Sequence, residues 1–167
     1  APAMLAAFGG VIRDLIGFPY PTVAGVQGRC LGGGLEVVLA CGIVIADEGA
    51  VLASPEIQLG VLAPAATALL MGRAAEDVLL TGRNFTATEA RDIGIVNVVA
   101  PPGELDETID TFVESHFIPR SALSLRLATK AVRGPGAAEL MRRLDEAERI
   151  YLEELLPTHD GVEGIEA

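Results

Sequence analysis

Apolar residues recur at Met4, Leu5, Phe8, Val11, Ile12, Leu15 and Ile16, the three-and-four spacing of one helical face, and Gly17 and Pro19 end the run. The pattern predicts an N-terminal helix lying on a core. The period then shortens. Val23 and Val26 stand between breakers in PTVAGVQG and predict a short strand closed by Gly28. Three glycines, Gly32 to Gly34, precede a mostly apolar stretch that predicts a helix from about Gly33 to Cys41. IVIAD at 43–47 and AVLAS at 50–54 predict two more strands, parted by the turn-forming Glu48 and Gly49. The local order is therefore strand, helix, strand, strand. Further on, ATALLMGRAAEDVLLTG predicts a helix ending at Gly82. TATEARDIG predicts a short helix capped by Thr86 or Thr88 and stopped by Gly94, and IVNVVA a last strand before Pro101, Pro102 and Gly103.

From Glu104 the pattern changes to charged helices: ELDETIDTFVESHF, SALSLRLATKAVRG and AAELMRRLDEAERIYLEELL. The last carries an apolar stripe at Leu140, Leu144, Ala147, Tyr151 and Leu155, which a lone helix leaves in water. The stripe must pack on the core or on another subunit. The expected organisation is an α/β core over 1–103 followed by a helical region over 104–167.

Composition narrows the class. A chain of 167 residues, half of them hydrophobic, buries one good core and is short for two. The net charge of -11 argues against a nucleic-acid surface, which needs clustered cations to replace the counterions on phosphates. Cys30 and Cys41 have neither CxxC nor metal spacing and read as buried thiols in a reducing compartment. No apolar run reaches the roughly 18 residues of a membrane span, and there is no basic-then-apolar leader. The expected compartment is cytoplasmic. The opening APAMLAAFGG has no initiator Met and reads like the middle of a longer pattern.

The candidate chemistry centres on CLGGGLEVVLACG. Glycines ahead of a helix let backbone N–H groups approach a ligand where the helix start is partially positive, so Gly32 to Gly34 suit a phosphate or a developing oxyanion. A tight turn that only permits close packing is the alternative. The triplet fits neither the P-loop nor the G-x-G-x-x-G pattern. Glu36 stands among Leu35, Val37, Val38 and Leu39. It is either an acid welcome in a first helical turn or a buried carboxylate, which must be paired, hydrated or functional. A second carboxylate, Glu56, follows Pro55 just past a predicted strand, and is either an exposed loop acid or a site residue. Two carboxylates facing one site have their pKa values pushed apart, giving an acid and a base for one water. His116 and His159 lie far along the chain with no partner at metal spacing, Asp47 suits a turn cap, and no G-x-S-x-G elbow is present.

PTVAGVQGRCLGGGLEVVLACGIVIADEGAVLASPEIQLGV resembles the signature of the crotonase, or enoyl-CoA hydratase, superfamily. LLTGRNFTATEARDIGIVNVVAP matches its next segment, and HDGVEGIEA is similar to its C-terminal end. The resemblance implies a crotonase-like spiral of ββα units with a helical tail that builds homotrimers, often paired into homohexamers. It implies an acyl-CoA hydratase with Glu36 and Glu56 as catalytic residues bracketing a water, and the N–H of Gly33 as one oxyanion donor. Leu35, Pro55, Leu62, Pro64 and Ala65 then fall at the substrate pocket. No metal and no cofactor beyond the CoA of the substrate are implied, and no nucleic acid or membrane partner. For the CoA phosphates, Arg29, Arg73, Lys130 and Arg133 are the candidate cations. The family's N-terminal portion, which supplies the second oxyanion donor and much of the CoA contact, is missing from the 167 residues, and the stretch from Leu70 to Ala74 is short. A narrower resemblance, in PEIQLGVLAPAATALL and YLEELLPTHDGVEGIEA, is to the subgroup acting on cyclic dienoyl-CoA thioesters. The alternatives are another acyl-CoA isomerase or lyase of the same fold, or a non-catalytic oligomerisation module.

Overall fold

The computed structural model describes residues 2–160 and 162. An N-terminal helix α1 (Pro2–Gly17) leads into two short strands, β1 (Val23–Val26) and β2 (Arg29–Leu31), and a helix α2 (Gly33–Ala40). The unit then repeats as β3 (Ile43–Asp47), β4 (Val51–Ala53), a 3₁₀ turn (Pro55–Leu59) and the short helix α3 (Pro64–Leu69). Each turn of chain lies on the one before. β1 pairs in parallel with β3, Val23 opposite Ile43, and β2 pairs in parallel with β4, Arg29 opposite Val51. The chain passes from one sheet to the other at Gly28, which takes a left-handed φ of 67°, and again at Glu48–Gly49. Asp47 fixes the second crossing, accepting from the N–H of Gly49 at 2.8 Å and of Gly103 at 3.0 Å. Its expected role as a turn cap therefore extends to tying down the later loop.

Helix α4 (Gly72–Thr81), strand β5 (Phe85–Thr86), helix α5 (Ala87–Asp92) and strand β6 (Val98–Ala100) complete two three-stranded sheets, β1-β3-β6 and β2-β4-β5. β5 alone is antiparallel to its neighbour, and β6 adds in parallel to β3. Thr86 caps α5 in a full capping box with Glu89, and Gly94 ends the turn beyond it at φ 84°. The main core, with Leu35, Leu52, Val78 and Phe85 at its centre, gathers residues from both sheets, α2, α4 and α5. Burying each such side chain contributes about 1.5–3 kcal/mol. A second cluster joins α1, α2, α3 and the tail through Ile12, Ile16, Ala40, Ala65, Ala68 and Leu144.

The tail comprises α6 (Leu105–His116), α7 (Ala122–Arg149) and one stretch of π-helix (Ile150–Leu155). The sequence pattern divides it differently, because Gly134, Pro135 and Gly136 look like a break. The chain instead runs through Pro135 as one 28-residue helix. Tertiary contacts hold both sides of the proline. Arg133 donates to Leu15 O at 3.3 Å and Phe18 O at 3.1 Å, at the C-terminus of α1, and Leu144 is buried against α1 and α3. Arg13 ties the same helices from the other side through Asp145 and Glu148. Of the expected stripe, Leu144 and Ala147 are buried, and Leu140, Tyr151 and Leu155 are half-buried.

Other corrections are local. The predicted helix ending at Gly82 is two helices, α3 and α4, because Leu70 and Met71 are extended and Gly72 restarts the chain at φ 65°. Strands β2 and β5, three and two residues long, carry too little alternation to be read from sequence. Cys30 and Cys41 are half-buried free thiols, both pushed up in pKa by burial. His116 packs on Phe112 at the end of α6, with ring centres 4.7 Å apart.

Candidate active site

Helix α2 begins where the second sheet ends. Gly32 donates its N–H to Ala53 O at 3.0 Å and accepts from the N–H of Glu36 at 3.0 Å, with φ 54° and ψ -124°, a conformation that suits glycine. Gly33 is therefore the first helical residue, and its N–H has no partner within the helix. The glycine triplet does two jobs: it makes the turn and it brings a second chain segment close. A Cβ at Gly32 would stand 2.7 Å from Oε1 of Glu56, and one at Gly33 would stand 3.4 Å from the ring of Phe8.

Glu36 is 5% exposed, on the inward face of α2 with Leu35, Val38 and Ala40. Its Oε1 accepts two backbone hydrogen bonds, from Ala65 N–H at 2.7 Å and Ala66 N–H at 3.0 Å. Those amides are free to do so because they open α3, where Pro64 occupies the first position and the first N–H groups have no helical acceptor. The carboxyl is raised above its ordinary pKa. Burial is the largest cause, the N–H groups of Ala66 and Ala65 oppose it, and the charge of Glu56 adds to it. Glu56 also comes up against Gly32, the residue that precedes the helix carrying Glu36.

Glu56 lies in the 3₁₀ turn that Pro55 starts and Gly60 closes at φ 71°. Ser54, 2% exposed at the end of β4, donates its hydroxyl to Oε2 of Glu56 at 2.7 Å. Ser54 and Glu56 open onto a cavity of about 450 Å³ whose walls include Val61, Leu62, Leu70 and Leu79. Of the residues expected at the pocket, Leu62 lines this cavity. Leu35 lies instead in the core at 0% exposure, Pro55 begins the 3₁₀ turn, and Pro64 and Ala65 are buried in α3, where Ala65 serves through its backbone.

Three further residues meet the site without a signal in the sequence. Ser54 differs from any other small residue at a strand end only through its bond to Glu56. Tyr151, in the apolar stripe of the last helix, is raised in pKa by burial and then by the charge of Glu36. Arg143 donates to two carbonyls of the α3 end, Thr67 O and Leu70 O, both at 2.9 Å. Among the candidate phosphate cations, Arg133 is engaged with α1, while Lys130 lines the same exposed cavity of about 410 Å³ as Arg126. Arg29 and Arg73 are exposed. Among the described residues, no three His, Cys, Asp or Glu side chains gather as a metal site. No helix there is long and apolar enough to cross a membrane. In HDGVEGIEA, Gly161 and residues 163–167 lie outside the described residues.

Two ββα turns laid strand on strand, a third returning through the same two sheets, and a helical tail across the back define the crotonase class of α/β folds. The chain belongs to the enoyl-CoA hydratase/isomerase family, whose profile matches residues 7–167. It is 40% identical over 168 positions to the cyclohexa-1,5-dienecarbonyl-CoA hydratase of Thauera aromatica, covering 98% of this chain and 64% of that one. It is 30% identical to the human enoyl-CoA hydratase domain-containing protein 2, covering 95% of this chain and 56% of the relative. An enoyl-CoA hydratase structure from Mycobacterium avium subsp. paratuberculosis superposes with a TM-score of 0.88 at 28% identity, over 99% of this chain and 68% of that one. The chain therefore spans roughly three fifths of these curated relatives.

Proposed function

We propose that the protein is a hydratase of α,β-unsaturated acyl-CoA thioesters, with a cyclic dienoyl-CoA as its preferred substrate. The observation that carries this is the pair Glu36 and Glu56. One is buried with Oε1 fixed by two amides, the other is fixed by Ser54 at the mouth of an apolar cavity, and both flank the start of α2. Glu36 keeps Oε2 for a water, and the upward shift of its pKa makes it a stronger proton acceptor than an ordinary carboxylate.

In the reaction, Glu36 takes a proton from water as the hydroxyl oxygen bonds to the carbon β to the thioester. The C=C electron pair moves toward the carbonyl, whose oxygen becomes negative. The N–H of Gly33 meets that charge at the helix start, a contribution of about 3 kcal/mol for one such donor. Glu56, having taken up a proton from solvent before the step, delivers it to carbon, and the proton held by Glu36 returns to solvent, so that the pair is restored. In a simple enoyl thioester that carbon is α to the carbonyl. In a cyclic diene it is the far end of the conjugated system, so that water adds 1,4. The relative in Thauera aromatica supports the cyclic substrate, and a cavity of about 450 Å³ is ample for a six-membered ring. The chemistry uses no cofactor beyond the substrate's CoA. Leu123, Leu127 and Val132 leave apolar side chains exposed along α7, and they support assembly into trimers or hexamers.

The test is hydration of crotonyl-CoA and cyclohexa-1,5-diene-1-carbonyl-CoA side by side, by the whole protein and by its Glu36→Gln and Glu56→Gln variants. Turnover that prefers the cyclic diene and collapses in both variants is expected. Turnover unchanged by either substitution overturns the mechanism, and preference for crotonyl-CoA overturns the substrate.

A further inference from the structure

Helix α3 is six residues long, too short to hold its own geometry, and neither of its ends has a side-chain cap from its own flanking residues. Three of its residues, Ala65, Ala66 and Ala68, are buried alanines that offer little to interlock along its axis. Yet its position decides where Glu36 sits, since Ala65 N–H and Ala66 N–H at its start hold Oε1. The other end is held from α7. Nη2 of Arg143 donates to Thr67 O and Leu70 O, both at 2.9 Å, so that a guanidinium meets the carbonyl end of the helix while a carboxylate meets its amide end. Arg143 also lines the cavity that Ser54 and Glu56 open onto.

We infer that Arg143 is a positioning residue for catalysis, clamping α3 along its axis so that the Ala65 and Ala66 amides stay on Glu36. It acts through backbone and has no contact with Glu36 of its own. Its neighbour Arg142 is turned outward onto Glu139 and plays no such part. Glu56 and Tyr151 are the other titratable groups whose charge interactions reach Glu36, and Glu139 is the acid that feels Arg143. The kinetic arm of the test rests on the hydratase reading.

The experiment compares Arg143→Met, Arg143→Lys and Arg142→Met in the whole protein, by steady-state hydration across a pH series and by amide hydrogen exchange. For Arg143→Met, kcat is expected to fall roughly 10- to 100-fold with KM within about twofold, the scale of a small misplacement of a catalytic group. The acid limb of the kcat profile should move to higher pH, because Glu36 loses the N–H groups that favour its charged form. Lys at 143 should restore most of the rate, and Arg142→Met should behave as wild type. Exchange at Ala65 and Ala66 should quicken at least ~10-fold in Arg143→Met relative to the rest of the core. Wild-type kcat and pH profile in Arg143→Met overturn the inference, as does a rate loss that leaves the profile and the two amides unchanged. If the parent protein hydrates neither thioester, the hydratase reading fails. Exchange at the two amides then decides the clamp alone, and if Arg143→Met does not fold, Arg143→Lys supplies that readout.

Discussion

Oε1 of Glu56 lies where a side chain at Gly32 would begin, 2.7 Å from the position of an added Cβ. A side chain at Gly32 would therefore have to push the Glu56 carboxylate aside. Gly32→Ala meets two penalties. Its backbone, at φ 54° and ψ -124°, is strained for any L side chain by about 1–3 kcal/mol, and the methyl displaces the Glu56 carboxylate. The expected outcome is a folded protein with a lower unfolding midpoint and kcat down roughly 100-fold, against an unchanged response to added CoA. Steady-state kinetics alongside thermal denaturation checks it, and wild-type kcat would show that Glu56 finds its place without the glycine.

Glu36 makes stability depend on pH with a definite sign. Its pKa is raised in the folded state above the ordinary 4.5, so between those two values the native protein holds a proton that the unfolded chain has lost. Stability therefore falls as pH rises through that window and stays lower above it. Glu36→Gln removes the charge while its amide oxygen can still accept from Ala65 and Ala66. We expect the variant to unfold at higher temperature than wild type above the window and to show a flatter pH dependence. We also expect it to lose roughly 10²–10⁴-fold in hydration rate. A variant less stable than wild type at alkaline pH would mean that the carboxylate is held more favourably than its burial implies.

How much of this was legible beforehand depends on the range of each interaction. The β3 strand, the α2 start and the Thr86 cap rest on neighbours within a few residues, and the sequence pattern finds the first two and narrows the cap to Thr86 or Thr88. The apolar company of Glu36 announces a carboxylate that needs a partner. It does not name the partner, because Ala65 and Ala66 lie some thirty positions away and offer only backbone, which every residue has. The resemblance puts Leu35 at the pocket, and the fold places its side chain wholly inside the main core with Val38 and Leu52. Pro135 is the opposite case. Local chemistry predicts a break, and packing on both sides of it overrides the prediction. Arg143 was hidden among the exposed charges of the last helix, where only the fold distinguishes it from Arg142.

Leu144 tests whether the tail is part of the site's support. It is 1% exposed and packs with Ile12, Ile16 and Ala68, immediately after Arg143 in the chain. Leu144→Ala should cost about 2–5 kcal/mol of stability, the range for a buried Leu whose surroundings relax only in part. Because the cavity opens beside α3, kcat should also fall, whereas a core substitution at Ile45, which packs in a separate cluster with Ala100 and Leu105, leaves it unchanged at temperatures where both variants are folded. Denaturant unfolding and kinetics on the two variants check this, and equal kcat in both would confine the role of the tail to stability.

Ser54 separates holding a carboxylate from merely packing beside it. Its hydroxyl is buried and bonded to Oε2 of Glu56 at 2.7 Å, while Gly32 limits the other oxygen from the opposite side. Removing the hydroxyl leaves one face of Glu56 open to the cavity, where the carboxylate gains rotamers that do not reach the substrate. A hydrogen bond to a charged group contributes about 1.5–3 kcal/mol, and if half of that is felt in the transition state the rate falls roughly 4- to 12-fold. Ser54→Ala should therefore lower kcat by about that factor with little change in KM, since Ser54 grips Glu56 and not the acyl chain. Ser54→Thr, which keeps the hydroxyl, should lie between Ala and wild type if the added methyl is tolerated beside β4. A rise in KM at constant kcat would place Ser54 in substrate binding, and would return Glu56 to being oriented by its turn alone.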